Sequence, residues 1–129
     1  MKLGEITEQI LNACFEVSNE LGHGFLESVY ERSLLIALRN KGLAAENQVP
    51  LQVRFRQQTV GEFFADLVVE KKVVLELKAV KSLAPEHMAQ VLNNLKATGM
   101  GVGLLVNFGS PKLEYRRFEN RFLEVDSQG

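Results

Sequence analysis

From Leu3 to Leu21 the apolar residues Ile6, Ile10, Ala13, Cys14, Val17 and Leu21 recur at spacings of three and four, with glutamates on the opposite side. That stripe predicts an amphipathic helix. Gly22-His23-Gly24 interrupts it, glycine being the residue that most easily leaves helical geometry. A second helix is expected from about Leu26 to Lys41, with Val29, Tyr30, Leu34 and Leu38 turned inward and Gly42 as its stop. The period then changes to two. Val49, Leu51, Val53 and Phe55 alternate with Gln52, Arg54 and Arg56, which describes a strand with one wet face. A polar turn around Gln57–Gly61 leads to EFFADLVVE and then KKVVLELKAV, both nearly continuous in apolar character, as strands buried on both faces are. Pro85 suits a first helical turn, Met88, Val91, Leu92 and Leu95 make a stripe, and Gly99 ends it, so a third helix is expected over Pro85–Thr98. GVGLLVNF is a further buried strand, and KLEYRRFEN and RFLEVD are short final strands or a strand and a tail. The order ααβββαβ(ββ) is that of an α/β protein, a mixed β-sheet flanked by helices.

The 129 residues, 46% hydrophobic and 24% charged, suit one globular domain over 1–129 and exclude a disordered chain. Apolar runs of four or five residues exclude a transmembrane helix, which needs roughly 20. MKLGEITEQI has acids where a signal peptide would have a basic start and an apolar stretch. The single Cys14, on an apolar helix stripe, offers neither an internal disulfide nor a cysteine zinc site, and a cytoplasmic location is expected. Charge is unevenly spread: residues 1–31 carry −5 and residues 32–129 carry +4, for a total of −1. That permits a basic face for a polyanion without demanding one.

Asp66 stands in the middle of Phe63-Phe64-Ala65-Asp66-Leu67-Val68-Val69, and Glu76 and Lys78 interrupt the next apolar strand. Charges there are expensive unless they serve each other or a ligand. Glu76 and Lys78, two positions apart, share a face. A hairpin with the three-residue loop Glu70-Lys71-Lys72 sets Asp66 directly across from Glu76, with Cβ atoms roughly 4.5–5.5 Å apart. An even-numbered loop would part them. Two carboxylates so placed suit a hard cation such as Mg²⁺ or Mn²⁺, with Lys78 beside it to orient water or stabilise charge on phosphate. The same residues equally suit a structural ion-pair network of Asp66, Glu76 and Lys78.

Asp66…Glu76-Leu77-Lys78 on consecutive strands, after a helix bearing Glu27, resembles the PD-(D/E)XK nuclease superfamily. Gly24-Phe25-Leu26-Glu27-Ser28-Val29-Tyr30 resembles the signature of its small GxxExxY family, and LGHGFLESVYE, GEFFADLVVE, LELKAV, HMAQVLNNLKATG and VGLLVNFG resemble that family's successive blocks. The resemblance implies a restriction-endonuclease-like fold and a Mg²⁺- or Mn²⁺-dependent nuclease acting on nucleic acid, with DNA the expected substrate. It implies Asp66 and Glu76 as metal ligands, the Leu77 carbonyl as a further oxygen, Lys78 as the catalytic lysine, Glu27 as the helical glutamate that completes the site, and Gln90 as a polar group leaning toward it. Ala65 replaces the proline of the superfamily's name, and Asn94 replaces a tyrosine, a difference expected at the rim of the site.

Each supporting residue also has a plainer reading. Glu27 suits a first-turn acid favoured by the helix dipole, Tyr30 a core residue, and Gln90 a solvated one. His23 and His87 lack partners at metal-ligand spacing. Lys81, Lys96, Arg116 and Arg117 suit phosphate contacts or solvated faces, and Gly99–Gly103 leads into a strand instead of opening a phosphate-binding helix. The rival function is a non-cleaving module that binds nucleic acid or protein on the same fold. A homodimer is compatible with either.

Overall fold

A computed structural model describes residues 1–121. Helices α1 (Leu3–Leu21) and α2 (Glu27–Asn40) come first, then strands β1 (Ala45–Phe55), β2 (Gln58–Val69) and β3 (Val73–Lys78). Helix α3 (Pro85–Thr98) follows, and β4 (Val102–Asn107) and β5 (Glu114–Glu119) close the order. The five strands form one sheet in chain order, so β1 and β5 are its edges. Neighbours are antiparallel except β3 and β4, which α3 joins as a parallel crossover. This is the expected mixed sheet flanked by helices. Among the described residues no helix is long and apolar enough to cross a membrane.

One face of the sheet packs against α1 and α2. The predicted stripe of α1 is buried from Ile6 to Val17, against Tyr30, Leu34 and Leu38 of α2 and Leu67, Leu75, Leu77 and Leu104 of the sheet. Burial pushes the Cys14 thiol up to about 12, so it stays a neutral core side chain. The other face, with Ala65, Val68 and Val74, receives Leu95 of α3. The helix lies so close that a Cβ on Gly103 of β4 would stand 2.7 Å from Val91 Cγ1, hence glycine in an otherwise bulky strand.

Three sequence expectations need correction. β1 begins at Ala45, well before Val49. Its turn is only Arg56-Gln57, both with positive φ (50° and 68°), as a two-residue hairpin turn requires, so the chain re-enters strand at Gln58 within the expected loop. The outer half of β2 is not buried on both faces: Phe64 is exposed, and only Leu67–Val69 pair with β3. The outer parts of β1 and β2 thus form a two-stranded arm without a third strand. RFLEVD, apart from Arg121, lies outside the described residues.

Candidate active site

The loop Glu70-Lys71-Lys72 has three residues, and the ladder Val69↔Val73, Val68↔Val74, Leu67↔Leu75 carries the predicted odd register. Asp66 and Glu76 are in step one position beyond the last ladder pair. There β2 departs from regular geometry. Ala65 and Val68 share the α3 face, so the in-out alternation skips at Asp66, in step with Gln48 of β1, whose φ is 49°. The backbone N–H of Leu77 donates to Asp66 Oδ2 at 2.7 Å in place of a ladder bond. Divergence of two strands therefore opens the site, and the side chain of Asp66 bridges the gap.

Glu76 is 1% exposed. Burial, the neighbouring Asp66 charge and a hydrogen bond with the Asp66 side chain push its carboxyl up to about 8, while Asn94 and Lys78 oppose the shift. Asn94 Nδ2 donates to Glu76 Oε1. Asn94 is itself 1% exposed, a buried partner of the site and not the rim residue expected from the sequence. Its place on α3 explains this: it falls with Val91 and Leu95 on the inward stripe.

Lys78 ends β3, and that end is fastened from β4. Phe108 N donates to Lys78 O at 2.8 Å, and buried Asn107 holds Val80 twice, at 3.0 and 2.9 Å. Asn107 went unnoticed in the sequence, although a polar residue closing the apolar run of GVGLLVNF was a signal of the same kind as Asp66. Of the network offered as the plainer reading, Lys78 makes no close ion pair with Asp66 or Glu76 among the described residues, although its charge still acts on Glu76. Among the described residues the ion pairs are Lys41–Glu16 and Arg117–Glu119, both away from Lys78.

Glu27 is the first residue of α2, and the preceding loop sets it there. Gly24 takes a φ of 110°, which favours glycine. The Tyr30 hydroxyl donates to Gly22 O at 2.8 Å and accepts from Phe25 N at 3.2 Å, while its ring stacks on Phe108 at 4.8 Å. Tyr30 is thus both core and clasp. Partial burial, then the Asp66 charge and more weakly Glu31 raise the Glu27 carboxyl, with Lys78 opposing, so Glu27 lies within electrostatic reach of the pair. Gln90 is half-buried on α3, on the same side as Asn94. His87 accepts from Ala84 N at 3.0 Å and caps α3, with no part in the site.

Among the described residues no three carboxylate, imidazole or thiol groups gather into a ready-made metal cage. The donors fit an open site instead: two neighbouring carboxylates, one of them raised by burial and by the other's charge, would be relieved by a hard divalent cation that keeps waters in its remaining positions.

Comparison with known proteins agrees with this geometry. The family description of the PD-(D/E)XK nuclease superfamily matches residues 4–118. A solved structure described as "Crystal structure of SSO0001" superposes with a TM-score of 0.57 at 17% identity, covering 73% of this chain and 50% of that one, so this chain spans half of that protein's length. That likeness concerns the fold alone. Curated proteins give no significant match. With most of its length matched and the Asp66…Glu76-x-Lys78 constellation assembled on adjacent strands, the chain belongs to the PD-(D/E)XK nuclease superfamily.

Proposed function

We propose that this chain hydrolyses phosphodiester bonds of nucleic acid, DNA in particular, with Mg²⁺ or Mn²⁺, within the GxxExxY branch of the superfamily. The carrying observation is the Asp66–Glu76 contact with Lys78 two residues on, its charge acting on Glu76 and in no close ion pair among the described residues. Superfamily members generally use divalent metals. Asp66 and Glu76 would hold the ion with the Leu77 carbonyl, and Glu27 would face its water shell or a second ion. A bound divalent cation supplies Lewis-acid polarisation of the scissile phosphate and acidifies a water.

The protein's own groups do the rest. The Leu77 N–H fixes Asp66, and Asn94 fixes one oxygen of Glu76. Lys78 orients the attacking water or donates to a phosphate oxygen as negative charge grows there. Water oxygen bonds to phosphorus, the phosphorus–oxygen ester bond breaks, and the departing oxygen takes a proton. Gln90, half-buried on the same side of α3 as Asn94, would hydrogen-bond the incoming phosphate. Location in the cytoplasm and pairing as a homodimer belong to the same proposal.

The test is a panel of single-stranded, duplex and branched DNA and RNA with Mn²⁺ or EDTA. Wild type should cut only with metal. Asp66→Asn, which keeps the acceptor for Leu77 N–H and removes the charge, should reduce cutting below detection with its fold intact. Mn²⁺ should raise the unfolding temperature of wild type but not of this variant. Cutting that persists in Asp66→Asn would refute the assignment. Binding without cutting by wild type would identify the non-cleaving module instead.

A further inference from the structure

The β1–β2 arm and α3 enclose a groove of about 1050 Å³ that excludes the carboxylate pair from its walls but shares Asn94 with it. Asn94 joins the two, standing in the groove wall while bonding Glu76. Its Oδ1 is buried and has no hydrogen-bond partner among the described residues, a polar atom at the groove wall whose acceptor capacity is unused.

The rest of the lining combines two chemistries. Val53, Phe55, Val60 and Phe63 present apolar surface, and Phe55 and Val60 are 60% and 63% exposed. Arg54 and Lys96 stand among them with one acid, Glu86, and the Arg56 guanidinium lies 4.9 Å over the Phe55 ring beside the groove. Apolar faces interleaved with cations and amides match a polyanion whose bases are unpaired. A duplex turns its bases inward and offers phosphates, for which an apolar wall has no use. Duplex binding also draws on many phosphate contacts, and this chain's net charge of −1 supplies no broad excess of cations.

We propose that this groove binds a single strand of nucleic acid, its bases laid on the arm and its backbone led past Asn94 to Asp66 and Glu76. This deepens the nuclease reading and rests on it for the fate of the strand, but binding can be read without cutting. The experiment is fluorescence anisotropy of the full chain in EDTA, with a short labelled pyrimidine strand and a duplex of equal length.

The single strand should bind more tightly than the duplex. Phe55→Ala and, separately, Val60→Ser, both at exposed positions and checked for folding by circular dichroism, should each weaken single-strand binding, by about tenfold for Phe55, and leave duplex binding unchanged. Arg54→Gln should reduce the slope of log affinity against log salt by about 0.7. Equal or tighter duplex binding overturns the proposal, as does single-strand binding indifferent to both arm variants. So does a lack of saturable single-strand binding up to about 100 μM, the weak end of non-specific affinities. Arm variants that abolish a dimer in sedimentation while leaving single-strand binding intact would assign the groove to a second copy and overturn it too. The expected binding pattern without any Mn²⁺-dependent cutting would leave the groove standing and refute the nuclease reading alone.

Discussion

Glu76 stands out among the carboxylates, since its folded form keeps a proton that the unfolded chain would release. Its ordinary value of 4.5 is pushed up to about 8 by burial and by Asp66. Between those two values the native state binds more protons, so stability falls as pH rises. The metal-free protein is therefore expected to lose stability from about pH 4.5 to about pH 8, most of its advantage being present at the acid end. Glu76→Gln stays neutral throughout and should flatten that dependence. Urea unfolding in EDTA across this range checks it, and an equally steep fall in the variant would place the titration elsewhere. The pairing of Asp66 with Glu76 was legible because side-chain direction in a hairpin follows from loop parity. Asn94, expected at the rim, lies inward because the helix period puts a residue three after Val91 and one before Leu95 on the buried face, where an amide needs a partner.

Among the elements, helices were legible nearly to the residue, because each combines a clean stripe with a glycine stop. Gly99, for example, ends α3 in the left-handed conformation. Strand limits were less so. Arg56-Gln57 makes the arm's turn without the Asn-Gly or Asp-Gly that usually announces one, so the polar stretch resembled a longer loop. The site also depends on an element it does not include. Gly109 follows β4 and lies against the strand end that carries Lys78, where an added Cβ would collide with backbone atoms of Ala79 and Val80. Asn107 pins Val80 from the same side, so that backbone has little freedom to withdraw. Gly109→Ala is expected to cost about 1–3 kcal/mol and to lower the cleavage rate by displacing Lys78. Denaturant titration beside single-turnover cleavage would show both, and a variant with wild-type stability would contradict the close approach.

Across the whole molecule, the two faces of the sheet serve different ends. The face under α1 and α2 holds the larger core, while the α3 face carries a small core and leaves the arm open beside the site. Composition announced a single core and offered no clue that four of the exposed large apolar residues, Val53, Phe55, Val60 and Phe64, would cluster on one hairpin. Such surface is stable only with its strands paired to each other, as a lone two-stranded ribbon is marginal in water. Here α3 touches β1 from below and the rest of the sheet anchors both strands.

Among the described residues β1 is also the outermost strand on its side, eleven residues long and without a neighbour beyond it. A bare edge of that length is a template on which chains stack into precipitate. Pro50 sits near its middle, opposite Phe64, and has no N–H to offer a newcomer. Restoring that donor with Pro50→Val would leave the fold's own ladder in place. At high concentration light scattering should then climb with time, while the unfolding midpoint of dilute protein stays close to wild type. The shelf life of this protein in a crowded solution would then depend on one missing hydrogen.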